Sequence, residues 1–273
     1  MADTMEIKAT RGMRNIDFTE LWNYRELMFF FAWRDISVRY KQTVLGVLWA
    51  LIQPACTMVI FAVFFGKFGK MPSDGVPYPV FVYAGLLPWT LFSSGLSRAA
   101  DSVVGNGGLI KKVYFPRLII PLAASMGALV DFFVSAFLLA GLMVWFRVGV
   151  DATVLLLPIF VAMTFFAALG IGFFFSAVNA LYRDVRYLLP FVLQMGMFVT
   201  PVIYPVSMMP KAYAWLLYLN PMTGIIEAIR WVLFKAPGFP VFGLCMSAVV
   251  TVVFMVLGIV VFATAERHFA DSV

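Results

Sequence analysis

The stretch that decides the fold is residues 239–265, FPVFGLCMSAVVTVVFMVLGIVVFATA. It carries no charged side chain along its whole length. A helix needs about 20 mainly apolar residues to cross the hydrocarbon core of a bilayer, which is about 30 Å thick. This segment exceeds that length, so the sequence predicts a membrane-spanning helix here.

The composition of the whole chain agrees with this segment. Hydrophobic residues make up 63% of the 273 residues and charged residues only 12%, whereas soluble domains are about 45–50% apolar and about 25% charged. Such a composition excludes a disordered chain, a secreted disulfide scaffold and an ordinary soluble enzyme. It predicts an all-α polytopic membrane protein.

Six segments of the chain have the length and the apolar character of membrane spans. We predict spans at residues 44–65, 79–96, 118–146, 152–180, 187–204 and 239–265. Together they form a single transmembrane domain, residues 44–265. An N-terminal region, residues 1–43, precedes this domain, and a short tail, residues 266–273, follows it.

The Lys and Arg residues are divided unevenly between the two sides that these spans define. Fourteen of the 20 lie in residues 1–43, 97–117, 181–186 and 266–273. Because positive charge accumulates on the cytoplasmic side of membranes, we expect both termini to be cytoplasmic. The net charge of +6 is therefore interpreted as membrane topology, and no nucleic-acid partner is expected.

Residues 17–41 carry aromatic side chains at helical spacing before the first span. The apolar face consists of Phe18, Trp22, Phe29, Trp33, Ile36 and Tyr40. Polar and basic residues fall mostly on other faces, a pattern typical of an amphipathic helix lying in the membrane interface. A short additional span is the alternative, because residues 27–33 are strongly apolar.

The segment between the second and third spans, residues 97–117, begins with a helix-compatible sequence. Gly105, Asn106, Gly107 and Gly108 then interrupt it. A short helix of about two turns on the cytoplasmic face would suit the docking of a partner. A solvated connector without a partner is the alternative.

The segment between the fifth and sixth spans, residues 206–236, is divided by prolines into two short apolar pieces. Residues 211–219 would form a helix of about 13 Å and residues 222–234 one of about 20 Å, so neither spans the bilayer. We predict a re-entrant hairpin at the outer mouth of a pathway, in which Glu227 and Arg230 can pair. A helix lying flat on the outer surface is the alternative.

Residues that carry out enzyme chemistry or bind metal ions are scarce. The chain has one histidine, His268, and two cysteines, Cys56 and Cys245, which cannot build a Cys/His metal cluster. A Gly-x-x-x-x-Gly-Lys-Ser/Thr phosphate loop is missing from the sequence. We therefore expect no catalytic residue, no metal site and no cofactor in this chain. Asp131, in the third span, is a candidate functional residue, with a helix-packing hydrogen bond as the alternative.

Aromatic side chains recur in the middle of the spans as well as at their ends. The candidates for lining a substrate path are the aromatic residues Trp49, Phe61, Trp89, Phe92, Phe191, Phe198 and Tyr204, together with Gln194. Aromatic faces suit sugar rings, because the C–H-rich faces of these rings stack on them. Contact with lipid or packing in the core is the alternative for each of these residues.

Five motifs resemble those of ABC-2-type permeases that export polysaccharides, and they occur in the same order. The first three stretches are residues 39–50, RYKQTVLGVLWA, followed by Gln53-Pro54, and residues 109–117, LIKKVYFPR. The others are Asn179 with residues 182–185, YRDV, residues 200–205, TPVIYP, and residues 220–222, NPM. Each motif is short, but together they are specific.

This resemblance implies an ATP-driven exporter in the bacterial inner membrane. Two copies of the permease would pair with two copies of a separate ATPase subunit, which would hold ATP and Mg²⁺. Together they would translocate a lipid-linked polysaccharide, with O-antigen exporters as the nearest type and teichoic acid and capsule exporters as relatives. The expected contacts with the ATPase are Glu26, Asp101, Val104, Asn106, Leu109, Ile110, Arg183 and Asp184.

The resemblance also implies a path and its two mouths. The first and fifth spans would line the path at a homodimer interface, and Trp215, Tyr218, Asn220, Glu227 and Arg230 would form a periplasmic gate. Arg34, Arg39 and Lys41 are expected to attract an anionic lipid headgroup at the inner leaflet. Two alternative functions stay open: an ABC-2 permease for a small hydrophobic compound, and a proton-coupled transporter without an ATPase.

Overall fold

The computed structural model describes residues 18–41, 45–149, 151–210, 213–235 and 238–269. Four predicted features lie at least partly outside the described residues. They are residues 1–17 and 42–43 of the N-terminal region, position 44 at the start of the first span, positions 211, 212 and 236 of the hairpin, and residues 270–273 of the tail.

Within these described ranges the regular structure is helical. The α-helices are α1 (Phe18–Asn23), α2 (Arg25–Lys41), α3 (Leu48–Phe61), α4 (Tyr78–Gly105), α5 (Gly107–Ile110), α6 (Ile119–Trp145), α7 (Leu157–Leu181), α8 (Val185–Val199), α9 (Ala214–Leu217), α10 (Pro221–Phe234) and α11 (Val241–Ala265). A π-helical segment, Ala62–Phe68, extends α3, and 3₁₀ turns lie at Ala152–Leu156, Val206–Met208 and Glu266–His268.

Five of these helical segments are long and apolar enough to cross a membrane. They are α3 with its π-helical extension, α4, α6, α7 with the preceding 3₁₀ turn, and α11, which correspond to the predicted spans one to four and six. The fifth predicted span is represented by α8, which has 15 residues, fewer than the about 20 that a span needs. The chain is thus a multi-pass membrane protein.

The helix α8 ends before the predicted boundary at residue 204. Thr200 has an extended backbone with φ −76° and ψ 140°. It precedes Pro201, and the ring of a proline disfavours the helical conformation of the residue before it. The prediction that residues 200–204 continue the fifth span is therefore wrong.

The helix α4 continues past residue 96, where the second span was predicted to end. Residues 97–105, expected to lie in a loop, form its last turns. The helix breaks at Asn106, whose φ and ψ are −110° and 19°, and α5 follows directly. A break within the glycine cluster is confirmed, but the separate docking helix expected before it is part of α4.

The predicted N-terminal amphipathic helix is divided into α1 and α2 by a turn at Tyr24. The aromatic side chains of Trp22, Phe29 and Trp33 are 68%, 58% and 70% exposed, whereas Phe31 is buried and packs against the ring of Phe115. An exposed aromatic face suits a helix at a membrane interface.

The described chain begins and finishes at one end of the bundle, which we call the α5 end (α2, α5 and residues 266–269). Phe31, Phe115 and Phe269 share one apolar cluster there, and Arg117 donates a hydrogen bond to the carbonyl of Glu266. Both ends of the described chain thus lie on the same side, and the assignment of that side to the cytoplasm stays a prediction.

Two pairs of glycines set the close packing of α11. A Cβ atom on Gly258 would overlap the carbonyl oxygen of Gly170 in α7, and a Cβ atom on Gly224 in α10 would overlap that of Gly243. Small residues let membrane helices approach closely. α10 is consequently buried among α4, α7 and α11, so it does not lie flat on the surface of the protein.

Candidate functional site

A cavity of about 420 Å³ lies between α3, α4, α6 and α8. Gln53 and Thr57 of α3 line it, and the rings of Trp49 and Trp89 contribute apolar faces. Arg39 and Asp131 are also part of the lining. The lining therefore combines polar, aromatic and charged groups inside a bundle of spanning helices.

One wall of this cavity is a row of hydroxyl groups on α4. Thr90, Ser93, Ser94 and Ser97 follow the spacing of one helix face. Each donates its hydroxyl proton to a carbonyl one turn earlier, from Ser94 to Thr90 at 2.6 Å and from Ser97 to Ser93 at 2.8 Å, for example. Such internal bonds satisfy a hydroxyl inside an apolar helix while its oxygen can still accept.

Asp131 joins three helices beside the cavity. Tyr40 of α2 donates a hydrogen bond to its Oδ1, while Arg98 of α4 donates to Oδ2 and Arg39 Nη1 lies 3.0 Å from the same oxygen. Burial and the bond to Asp131 raise the pKa of the Tyr40 phenol above its usual range, so Tyr40 remains a donor. The arrangement gives Asp131 the helix-packing role that was the alternative from the sequence.

The basic residues predicted to attract a headgroup are not brought together. Arg34 lies 2.8 Å from Asp35 and donates to the Oδ1 of Asn106 at 2.9 Å, whereas Lys41 is exposed. Of the three predicted residues, only Arg39 lines the cavity.

The residues predicted to contact an ATPase lie in α2, in the last turns of α4 and the break after it, in α5, and in the turn before α8. Glu26, Asp101, Arg183 and Asp184 are exposed, Val104, Asn106 and Leu109 are half-buried, and Ile110 is buried. The buried Asn179 of α7 donates to the carbonyl of Ala100 at 2.9 Å and to the Asp101 carboxylate at 3.1 Å. Displacement of Asp101 would thus be transmitted to α7, and displacement of Asn106 to α2 through Arg34.

Arg230 of α10 is the centre of the predicted gate region, and it is only 5% exposed. It donates to the carbonyls of Pro201 and Val202, both at 2.7 Å, and to that of Phe81 at 3.3 Å. Its guanidinium carbon lies 3.6 Å from the centre of the Phe81 ring. The predicted ion pair with Glu227 is wrong, because the guanidinium donates to main-chain carbonyls of α4 and of the residues after α8 instead.

The other predicted gate residues surround the start of α10. Asn220 caps this helix by accepting from the main-chain N–H of Met222 at 3.0 Å, and it donates to the Thr200 hydroxyl at 2.6 Å. Trp215 is exposed, and the half-buried Tyr218 packs edge-on against Phe242. The bond between Asn220 and Thr200 therefore ties the start of α10 to the end of α8.

The residues predicted to line a path divide into two groups. Phe61, Trp89 and Phe92 are buried, whereas Trp49, Phe191, Gln194 and Phe198 are exposed and Tyr204 is half-buried. Only Trp49 and Trp89 among them line the cavity. The exposed residues of α3 and α8 form an apolar surface beside it.

Sequence reasoning missed two parts of this site. Arg98 was counted only as a topological charge, because its contact with Asp131 joins two different helices. The hydroxyl row carried a signal that could have been found, since four polar residues at spacings of three and four in an apolar span form one polar face. Among the described residues, no group of three or more His, Cys, Asp or Glu side chains could hold a metal ion.

Comparison with known proteins gives one family and several relatives. The ABC-2 type transporter family matches residues 26–234. The chain is 27% identical to the O-antigen export system permease protein RfbA of Myxococcus xanthus over 93% of this chain and 98% of the relative. It is also 27% identical to the RfbA protein of Klebsiella pneumoniae, over 72% and 76%, and to the polysialic acid transport protein KpsM of Escherichia coli, over 88% and 93%.

Proposed function

The chain belongs to the ABC-2 type transporter family, and from that premise we propose that it is the permease subunit of an ATP-driven exporter of lipid-linked polysaccharide of the O-antigen type. The observation that carries the substrate class is the alignment with the Myxococcus xanthus permease, which covers nearly all of both chains. The bacterial inner membrane is the corresponding location.

The energy for transport comes from two copies of a separate ATPase subunit that hold ATP and Mg²⁺. This part of the proposal is supported by the missing phosphate loop and by the exposed side chains of Glu26, Asp101, Arg183 and Asp184. Motion of the ATPase would pass to α7 through the Asp101–Asn179 bond and to α2 through the Asn106–Arg34 bond.

Two copies of the permease form the path for the polymer. The exposed apolar side chains of Trp49, Phe191 and Phe198 on α3 and α8 would meet their counterparts in the second copy. α8 would act as the fifth of six crossings, with both termini in the cytoplasm. α9 and α10 would form the re-entrant hairpin that guards the periplasmic exit.

The proposal is tested by removing the ATPase from a strain that makes the polymer. Replacing the phosphate-loop lysine of the ATPase with alanine should abolish surface polymer and cause it to accumulate inside the cell, as measured by antibody labelling of intact and lysed cells. The control is the same strain with wild-type ATPase restored.

Two outcomes would contradict the proposal in favour of the alternatives. Surface polymer that persists without the ATPase but disappears with a protonophore would indicate a proton-coupled transporter. Normal surface polymer in a strain lacking this permease, together with increased sensitivity to apolar drugs, would indicate a permease for small hydrophobic compounds.

A further inference from the structure

We propose that a second cavity of the bundle binds one acyl chain of a bilayer phospholipid, whose phosphate lies against Arg147 and Lys235. This apolar cavity has a volume of about 700 Å³ and lies between α4, α6, α7 and α10. The lipid is a component of the surrounding membrane and is not transported, so the inference does not depend on the substrate that the permease exports.

The apolar cavity has a floor inside the bundle and an opening at its surface. Leu87, Met143 and Leu233 line the floor and are buried. Phe133 and Val144 also line the cavity, but they are 59% and 80% exposed. Because these two residues lie on α6, which is long and apolar enough to cross a membrane, the opening leads into the hydrocarbon of the bilayer. The described lining includes no residue of α3 or α8, so the surface proposed to pair two copies is a different one.

The lining of the apolar cavity is suited to hydrocarbon and to nothing polar. Its side chains are those of Leu, Ile, Val, Phe, Ala, Met and Pro. Apolar cavities stay free of water, and a cavity left empty deprives the lining atoms of dispersion contacts. An acyl chain restores these contacts without placing a polar group inside, and the volume falls within the about 300–1,000 Å³ of small-ligand sites.

The depth of the apolar cavity is sufficient for an acyl chain. On α7 the lining extends from Leu157, where the helix begins, to Phe166, which is about 14 Å at about 1.5 Å per residue. On α6 it extends from Leu129 to Val144, or about 22 Å. Half of the hydrocarbon core of a bilayer measures about 15 Å. A chain that enters where α6 ends and α7 begins can therefore reach the middle of the bilayer within the cavity.

The charges at the rim favour a lipid with an anionic headgroup. Val148 and Val154 line the cavity at the end of the bundle opposite the α5 end, and Arg147, next to Val148 in the chain, is exposed. The exposed Lys235 lies beside the same connection, because its Nζ is 3.0 Å from the Asp151 carboxylate. Two cations and one carboxylate give this rim a net positive charge, which attracts the phosphate of a phospholipid.

The experiment labels the full-length permease, purified in detergent, with a phosphatidylglycerol that carries a diazirine in one acyl chain. After irradiation, the peptides that carry lipid are located by mass spectrometry. Wild type should carry the label mainly on the cavity-lining peptides of α6 and α7 and only weakly on α11. An excess of unlabelled phosphatidylglycerol should remove this label, whereas an equal excess of an isoprenoid diphosphate should leave most of it.

Two variants test the two parts of the site. Ala140→Phe/Ala162→Phe places two rings inside the apolar cavity, since both alanines line it, and should reduce the label there about tenfold. Arg147→Gln should weaken labelling by phosphatidylglycerol about fivefold and leave labelling by a diacylglycerol with the same diazirine unchanged. The matched control is Val252→Phe, which adds a ring to α11 at a residue that is 61% exposed and should leave the label unchanged.

Three outcomes would overturn the inference. Equal labelling of the cavity in Ala140→Phe/Ala162→Phe, Val252→Phe and wild type would show that lipid only coats the surface, and so would equal labelling of α11 and the cavity in wild type. Competition by the isoprenoid diphosphate that matches competition by phosphatidylglycerol would assign the cavity to a different lipid. Thermal unfolding shows whether each variant is folded, and Ala162→Phe alone is the milder change if the double variant unfolds early.

Discussion

Two arginine sites join the helices of this bundle in different ways. Arg230 is buried and donates to the main-chain carbonyls of Phe81, Pro201 and Val202. Arg39 and Arg98 instead share the carboxylate of one aspartate, Asp131, next to a polar cavity. The first site uses its donors on the protein backbone, whereas the second pairs its arginines with a carboxylate beside a cavity.

The difference shows how a charge inside a helix bundle can join helices through backbone or side-chain partners. Backbone groups in an apolar environment must be satisfied within the protein, and Pro201 and Val202 follow the end of α8 in residues that are not helical. Arg230 supplies the missing donors, so its charge is used for structure. Asp131 instead pairs with both Arg39 and Arg98, so at this site contacts between charged side chains join α2 and α4 to α6.

The largest expected effect comes from replacing Arg230. Arg230→Met would keep much of the side-chain volume but remove the donors to three carbonyls. Each buried carbonyl left without a partner costs about 1–3 kcal/mol, so we expect the unfolding free energy to fall by more than about 3 kcal/mol. The measurement is thermal or denaturant unfolding of the purified permease in detergent.

Glu227→Gln provides the control for this prediction. Glu227 lies one turn before Arg230, and its Oε2 has no hydrogen-bond partner in the described structure. If Glu227→Gln lowers the unfolding free energy as much as Arg230→Met does, the hydrogen bonds to the carbonyls do not explain the loss at Arg230. The ion pair between Glu227 and Arg230 that was expected from the sequence would then be supported.

A smaller effect is expected at the other arginine site. Asp131→Asn would leave Arg39 and Arg98 without their shared carboxylate, and hydrogen bonds to charged groups contribute about 1.5–3 kcal/mol. Because the site is partly exposed, we expect a loss at the lower end of that range, together with reduced export.

The double variant Asp131→Asn/Arg98→Gln tests whether charge balance is the cause. Removing one arginine together with the aspartate returns the net charge of the site to its wild-type value. The double variant should therefore be more stable than Asp131→Asn alone when both are unfolded under the same conditions. If the losses of unfolding free energy in the two single variants simply add up in the double variant, Asp131 and Arg98 do not stabilise each other. The two arginine sites would then not differ in the way described above.

Five of the six predicted spans correspond to helices long and apolar enough to cross a membrane, because each depends on a local property, the run of apolar residues. The end of α8 could also have been predicted, since Pro201 restricts the residue before it. The partners of Arg230 could not, because the carbonyls of Phe81 and Val202 come from elements far away in the chain. The spacing of three residues along the chain suggested Glu227 as the partner of Arg230. Glu227 is a neighbour on the same helix, but it does not bind the guanidinium.

The candidate site was predictable to a similar extent. Arg39, Trp49 and Trp89 were singled out by charge and aromatic character, and all three line the cavity. Ser94 and Ser97 carry a periodic signal on one helix, but only the packing of α3, α6 and α8 around α4 shows that this face borders a cavity. Side-chain type can be taken from a sequence, whereas the convergence of separate helices requires the fold.

The smallest effect is expected at a third ion pair, which lacks the burial of the other two sites. Lys235 Nζ lies 3.0 Å from the Asp151 carboxylate, and this hydrogen bond, with that from the Ala152 N–H, lowers the pKa of Asp151 below its ordinary 3.8. A carboxyl group whose pKa is lowered by folding stabilises the folded state at pH values above its ordinary pKa, and this stabilisation is lost as the pH falls through the folded-state pKa.

Exposed ion pairs contribute little to stability, so Asp151→Asn should lower the melting temperature at pH 7 less than Asp131→Asn does. The difference in melting temperature between Asp151→Asn and wild type should shrink as the buffer is acidified below pH 3.8. If Asp151→Asn lowers the melting temperature at pH 7 as much as Asp131→Asn does, the contribution of these ion pairs to stability depends on pairing alone and not on burial.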